Sequence, residues 1–145
     1  MVELKGKVWV TRSGVRVDRM ASAWLIRRWI DPKATFKFVE GAGYAPAKSE
    51  VRFDMFEAEF THEGERCTFE VLVQMLGLDD PALQCIAEIV HDIDLKDGKF
   101  GRVETSGIAS VLSGIVSAVD DDLQRIQRGC QLFDDLYRAF AGAVV

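Results

Sequence analysis

Strand-like and helix-like patterns of apolar residues alternate in the N-terminal half of the chain. Three short runs alternate apolar and polar positions as strands do: 7–11, 35–39 and 58–61. Residues 18–30, between the first two runs, carry apolar side chains three and four positions apart, which is typical of an amphipathic helix. Asp18 is the predicted N-cap of this helix, and Asp31 with Pro32 is its predicted end. We expect its apolar face to pack on the sheet.

Helical periodicity dominates the C-terminal half. Four further helices are predicted, over 67–76, 81–96, 107–119 and 122–140. The second predicted helix, 67–76, is apolar almost all round, so we expect it to be buried. The last helix has an apolar seam from Leu123 to Phe140, which we interpret as a packing face, with a homodimer contact as the alternative. The element order β-α-β-β-α-α-α-α indicates an α+β fold, in which a small sheet is covered by about five helices.

Composition limits the kind of protein this is. The 145 residues contain no linker or internal repeat, so we interpret 1–145 as a single domain. Hydrophobic residues make up 48% of the chain, which excludes a disordered tail. The net charge of −5 gives no support for nucleic-acid binding. Three separated cysteines and the lack of a membrane-spanning apolar stretch favour a cytoplasmic protein with free thiols.

A polar stripe interrupts the second predicted helix. Cys67, Glu70 and Gln74 are three and four residues apart, so they share one face. A carboxylate on an apolar helix is costly unless it is paired, hydrogen-bonded or bound to metal. Glu70 is therefore a candidate metal ligand, and a helix cap or an arginine partner is the alternative. A carboxylate beside Cys67 disfavours its thiolate, so we expect at most a weakly reactive thiol.

The two histidines form a second candidate site. His62 precedes the second predicted helix, and His91 lies near the end of the third, with Asp92 and Asp94 close by. Imidazole and carboxylate donors together suit zinc, iron, nickel or manganese. If both histidines hold one metal ion, their ring nitrogens should converge to about 3–4 Å. The alternatives are a helix-end imidazole for His91 and an exposed turn residue for His62.

Arginines cluster at the first strand-to-helix turn. Arg12, Arg16 and Arg19 surround this turn, where guanidinium groups and free backbone N–H groups make a good oxyanion site. A solvated basic face is the alternative. Trp24 lies off the main apolar arc of the helix, which indicates a second contact with another layer of the fold, a subunit or a ligand.

Several long motifs in order resemble a known family. They are Thr11-Arg12, residues 17–31, 53–56, Thr61-His62, 67–70 and 86–97. Together they are similar to the C-terminal domain of the ChrB family of chromate-responsive regulators, over about residues 7–140. The resemblance implies a cytoplasmic domain of the chromate-resistance response. In the full-length regulators a further N-terminal region is thought to bind DNA. This chain starts almost at the first motif, so we expect no direct nucleic-acid contact from it, and no membrane contact.

The resemblance brings the same polar residues together as candidates. The motifs contain Arg12, Asp18, Arg19, Ser22, Trp24, His62, Cys67, Glu70, His91, Asp92, Asp94 and Lys96. Within this set we predict a divalent metal site with the following ligands: His62, Glu70, His91, and Asp92 or Asp94. We also predict an anion site for an oxyanion such as chromate, with these residues: Arg12, Arg19, Ser22, Trp24 and Lys96.

Two other functions fit the residues less well. The segment around His91-Asp92 is similar to the signature of HD metal-dependent phosphohydrolases, in which His62 and one of Asp120, Asp121, Asp122 or Asp134 would complete the site. The strands argue against that all-helical class. A structural or interaction domain without catalysis is the other alternative. A redox role for Cys67 lacks support, because chromate reduction consumes several electrons and no Cys-x-x-Cys pair is present.

Overall fold

A parallel sheet of three strands forms one side of the molecule. The computed structural model describes residues 4–142. Its strands are β1 (Val8–Arg12), β2 (Thr35–Val39) and β3 (Glu50–Arg52), in the spatial order β2-β1-β3. Both pairings are parallel, with Val8 opposite Thr35 on one side and Glu50 on the other. The carboxyl ends of all three strands therefore meet at one edge of the sheet.

Five helices complete the domain. They are α1 (Val17–Leu25), which continues as a π-helical turn over Ile26–Ile30, α2 (Thr68–Leu76), α3 (Pro81–Leu95), α4 (Thr105–Ala118) and α5 (Asp122–Gly142). The α+β class, the element order and the helix-rich C-terminal half are confirmed. None of the helices in the described residues is long and apolar enough to cross a membrane.

The third predicted strand is in the wrong place. Residues 58–61 form no strand, and β3 lies at Glu50–Arg52, where Val51 is buried opposite Trp9. Phe60 makes only an isolated parallel bridge to Phe53. A strand of three residues is too short to show a clear alternation of apolar and polar positions. It pairs with the edge of β1 that β2 leaves free.

Helix α1 is the centre of the helical layer. Its residues Met20, Ala21 and Leu25 are fully buried. It packs against α2, α3 and α5, and its buried side chains belong to the same core as Trp9 of β1. Arg16, not Asp18, is the residue that precedes its first turn, so the predicted N-cap is wrong. Helix α2, in contrast, is buried on one side only, because Met75 is 43% exposed.

The contact between α1 and α5 is close because of one glycine. A Cβ atom at Gly129 of α5 would lie 3.0 Å from the sulfur and 3.1 Å from the Cβ of Met20. Ile126 and Phe133, on either side of Gly129 along α5, are fully buried. The apolar seam of α5 is therefore a packing face, as predicted.

We predict that Gly129→Ala lowers the free energy of unfolding, although alanine is the better helix former. The new methyl group would overpack against Met20, which costs about 1–3 kcal/mol. Gly114→Ala is the matched control: it lies on the exposed side of α4, where its methyl group would have no neighbouring atom within 4 Å, and it should add about 0.5–1 kcal/mol. Urea unfolding curves of both variants would check this. A stabilised Gly129→Ala protein would contradict the close contact.

Candidate functional site

Polar side chains converge at the carboxyl edge of the sheet. Arg12 ends β1, Asp54 lies two residues beyond β3, and α1 starts close to the end of β1. The chain passes from β2 on one side of β1 to β3 on the other side. In open parallel sheets, ligands bind at such points because the loops there separate and leave a crevice.

Asp18 is a buried carboxylate that caps a neighbouring helix. Its side chain is 3% exposed, and its two oxygens accept hydrogen bonds from the backbone N–H groups of Thr68 (3.0 Å) and Phe69 (2.9 Å). These are the first residues of α2, where unpaired N–H groups and the helix dipole favour a negative charge. Asp18 is thus a helix cap, but for α2 instead of its own helix.

The imidazole ring of His62 lies within 4 Å of three carboxylates. Its Nε2 atom lies 3.0 Å from Asp94 Oδ2 and 3.8 Å from Asp18 Oδ2, and its Nδ1 atom lies 3.3 Å from Asp54 Oδ1. Thr68 Oγ1 donates to the same oxygen of Asp54 at 3.0 Å. We call Asp18, Asp54, His62 and Asp94 the acidic centre. Asp54 is missing from the predicted ligands, and the only sequence signal for it is its place inside the motif 53–56.

The carboxylates of the acidic centre perturb each other. Burial, together with the negative charges of Asp54 and Asp94, raises the pKa of Asp18 to about 7, and the hydrogen bond from Phe69 only partly opposes this. Burial alone would lower the pKa of His62, but the hydrogen bond to Asp94 and the surrounding negative charges raise it. Both shifts favour the protonated forms of Asp18 and His62.

The acidic centre supplies a donor set for a metal ion. One donor atom from each of Asp18, Asp54 and His62 lies within 4.8 Å of the others, and Asp18 forms a second such group with Cys67 and Asp94. Carboxylate oxygens with one imidazole nitrogen fit divalent manganese, iron or zinc. Burial raises the pKa of the Cys67 thiol far above its ordinary range, so the expected low reactivity of this thiol agrees with its surroundings.

One of the predicted arginines, Arg19, contacts the acidic centre. Arg19 Nε is 3.4 Å from Asp54 Oδ2, and Arg19 also donates to the carbonyl of Gly14 at 3.1 Å. Burial and the neighbouring charge of Arg12 lower the pKa of Arg19, although Asp54 opposes this. The predicted free N–H groups of this turn are occupied, because Gly14 and Val15 both donate to the carboxylate of Asp122.

His91 belongs to a different cluster. It is fully buried, with Nδ1 2.6 Å from Glu70 Oε1 and Nε2 2.9 Å from Asp97 Oδ2. Both ring nitrogens therefore face carboxylates, and these two hydrogen bonds raise the pKa of His91 against the effect of burial. Glu70 also accepts from the backbone N–H of Cys67, so it caps α2, which is the alternative role considered for it.

The predicted metal ligands are split between the two clusters. His62 and Asp94 lie in the acidic centre, whereas His91 and Asp92 form a donor group with Asp97, a residue absent from the predicted set. Among the described residues, no group of three or more metal donors contains both histidines. The single site expected from the sequence is therefore divided into two. Asp92 accepts from the N–H groups of Phe100 and Gly101, which ties the loop after α3 to that helix.

The other predicted anion-binding residues have different surroundings from Arg19. Trp24 is 2% exposed and packs among Phe69, Phe133 and Tyr137, so its second contact is another layer of the fold. Ser22 is fully buried, and its hydroxyl has no hydrogen-bond partner in the described part of the chain. Lys96 is the exposed residue that ends α3.

The residue set of an HD phosphohydrolase is not assembled within residues 4–142. His62 and His91 lie in separate clusters, Asp122 binds the turn before α1, and Asp134 accepts from the indole N–H of Trp24. The parallel sheet is also foreign to that all-helical class.

Comparison with known proteins identifies the family. The family model described as "ChrB, C-terminal domain" matches residues 9–140. The chain belongs to this family. It is 38% identical over 140 residues to Protein ChrB of Cupriavidus metallidurans. The resemblance inferred from the sequence motifs is thereby confirmed.

The ChrB match concerns part of a larger protein. The alignment covers 96% of this chain and 42% of the Cupriavidus protein. No solved structure gives a significant match to the chain. The site residues described above are therefore assigned from the geometry of this domain.

We predict that the metal-free ChrB domain loses stability as the pH rises from about 4 to 8. Asp18 and His62 both have a higher pKa in the folded protein than in the unfolded chain, so the folded state holds protons that the unfolded state has released. The free energy of unfolding must then fall with rising pH, for Asp18 by an amount on the order of 2–4 kcal/mol.

Urea unfolding at pH 5 and pH 8, with metal removed, measures this loss. Asp18→Asn should make the fall shallower, because the amide side chain does not titrate in this range. Asp135→Asn, at an exposed carboxylate of α5, should leave it unchanged. Equal slopes for Asp18→Asn and the natural protein would show that the carboxylate of Asp18 is not perturbed.

Proposed function

We propose that this ChrB-family domain is a metal- and oxyanion-binding module of a chromate response. The observation that carries the proposal is the acidic centre, in which three aspartates surround one imidazole at the carboxyl edge of a parallel sheet. The family's link to chromate supplies the oxyanion. Because the chain matches only 42% of its relative, the response itself belongs to a larger system in this proposal.

The metal part of the proposal rests on electrostatics. Asp18 is almost completely buried, and Asp54 and Asp94 are 13% and 24% exposed, so water screens their mutual repulsion poorly. Arg19 pairs with one of these three carboxylates only. A divalent cation would offset the remaining charge better than protons do, and it would displace the protons held by Asp18 and His62.

The oxyanion part of the proposal rests on the two arginines. A tetrahedral dianion would be repelled by the acidic centre alone, so a metal ion and Arg12 with Arg19 must together outweigh the carboxylates. Arg12 is exposed and Arg19 is partly buried, so this side of the centre is open to a ligand. Guanidinium groups suit an oxyanion because each presents several N–H donors in one plane. Metal and oxyanion should therefore bind in dependence on each other.

We predict that the domain binds Mn²⁺ or Zn²⁺ at the acidic centre with release of about one to two protons near pH 6.5. Calorimetric titrations in buffers of different ionisation enthalpy measure both the affinity and the proton count. Asp54→Asn and His62→Ala should each weaken binding at least tenfold. The His62 side chain is 42% exposed, so its removal should leave the fold intact.

The second cluster supplies the matched control for the metal experiment. Asp97→Asn removes a carboxylate from the His91 donor group and should leave the affinity of the acidic centre unchanged. If Asp97→Asn abolishes metal binding while Asp54→Asn and His62→Ala do not, the proposed location is wrong. If the natural protein binds the metal without releasing protons, the metal does not displace protons from Asp18 and His62, and this part of the proposal is wrong.

We further predict that Arg19→Gln weakens chromate binding to the metal-loaded domain by about ten- to hundredfold. The loss corresponds to one charge-assisted hydrogen-bonding group. Equilibrium dialysis with chromate, and with sulfate as competitor, measures it. Arg138→Gln, at an exposed arginine near the end of α5, is the control and should bind as the natural protein does. Equal affinities for Arg19→Gln and Arg138→Gln would remove the arginine from the oxyanion site.

A further inference from the structure

A groove of about 890 Å³ lies next to the acidic centre. Its walls are the first turns of α1, the end of α3 with the loop that follows, and one side of α4. Asp94 lines the groove and also belongs to the acidic centre, so the two features meet at this residue. The volume is far larger than a single inorganic oxyanion needs, and it is in the range that holds small organic ligands.

The floor of the groove is apolar. Met20 and Leu112 are buried beneath it, and Ala109 and Val116 line it from α4. An inorganic oxyanion gains nothing from such a surface, whereas the hydrocarbon part of an organic molecule does. The lining therefore favours a ligand with an apolar body.

Two cations at the groove lack partners. Arg16 and Lys96 both line it, and neither side chain has a hydrogen-bond or ion-pair partner among residues 4–142. The acidic residues of the lining are already engaged, since Asp92 accepts backbone N–H groups and Asp94 pairs with His62. The third cation, Arg102, is paired with Glu88 and Glu104. Arg16 and Lys96 are therefore the charged side chains of the lining that are not already engaged by other residues of the described chain.

One hydroxyl group in the groove is also unsatisfied. Thr105 is the first residue of α4, and its Oγ1 atom is shielded from solvent without a hydrogen-bond partner in the described part of the chain. Glu104, which precedes it, does not cap the helix with its side chain. The hydroxyl is therefore out of reach of a ligand, but the positive end of the α4 dipole faces the groove.

From these observations we infer that the groove binds a small organic anion, with its charged group toward Arg16, Lys96 and the start of α4 and its apolar body on Ala109 and Val116 of α4. This ligand is separate from the inorganic oxyanion proposed above, and the inference does not rest on the metal site.

Three probes separate the contributions of the charge and of the apolar body. 1-Naphthyl phosphate has both, 1-naphthol has only the body, and inorganic phosphate has only the charge. The titrations use protein passed over a chelating resin, so that a metal at the acidic centre plays no part. We expect 1-naphthyl phosphate to bind at least tenfold more tightly than either of the other two. 1-Naphthalenesulfonate and octanoate test whether other anionic groups serve equally.

Matched variants locate the binding. Lys96→Gln and Arg16→Gln should each weaken the binding of 1-naphthyl phosphate about three- to tenfold and leave the binding of 1-naphthol unchanged. Lys33→Gln, at an exposed lysine outside the groove, is the control and should change the affinity for neither compound. Ala109→Trp should fill the groove and abolish binding. Val111→Trp places the same side chain on the exposed side of α4 and should have no effect.

The inference is wrong if none of the three organic anions binds more tightly than 1-naphthol, or if binding survives Ala109→Trp. If Asp54→Asn weakens the binding of 1-naphthyl phosphate and Lys96→Gln does not, the anion binds at the acidic centre instead. That result would also overturn the inference.

Discussion

The hydrogen bonds from the start of α2 to Asp18 are the contacts on which the rest of the site depends. Asp18 lies on the most buried helix of the domain, and through Thr68 and Phe69 it fixes where α2 begins. Thr68 in turn donates a hydrogen bond to Asp54. Glu70, near the start of α2, forms a hydrogen bond with His91. Both clusters of titratable groups are therefore positioned by one helix end, and that helix end is positioned by one carboxylate.

This arrangement has an electrostatic cost that explains its chemistry. The N–H groups of α2 stabilise the charged form of Asp18, but burial and two neighbouring aspartates disfavour it more strongly, so its pKa is raised to about 7. Because the carboxylates repel one another, binding of a cation at this site would lower their electrostatic energy. Burial disfavours the charged form of His62, but the hydrogen bond to Asp94 and the negative charges of the same aspartates outweigh this and raise its pKa.

Helix α3 contributes one side chain to each of the two clusters. His91 and Asp94 are three residues apart on this helix, yet His91 turns to Glu70 and Asp97, and Asp94 turns to His62. The loop after α3 is then held by Asp92, and it forms a wall of the groove beside α4. A change at the acidic centre thus has a short path through Asp94 to the groove. The proposed metal site and the proposed groove ligand would therefore share one neighbouring residue, Asp94.

The sequence by itself determined the elements that local chemistry controls. Apolar periodicity and the Asp80-Pro81 start placed five helices, and alternation placed β1 and β2 nearly to the residue, because the signals lie within the elements themselves. The motifs also indicated the family, which the ChrB match confirms. Only the tertiary structure decided which polar residues meet. Asp18 caps a helix fifty positions away, and Asp54 meets His62 after a three-residue strand. The two histidines separate because His91 pairs with Glu70 and Asp97, whereas His62 pairs with the aspartates of the acidic centre. Contacts between distant residues depend on how the helices and strands pack, and spacing along the chain carries no signal of that packing.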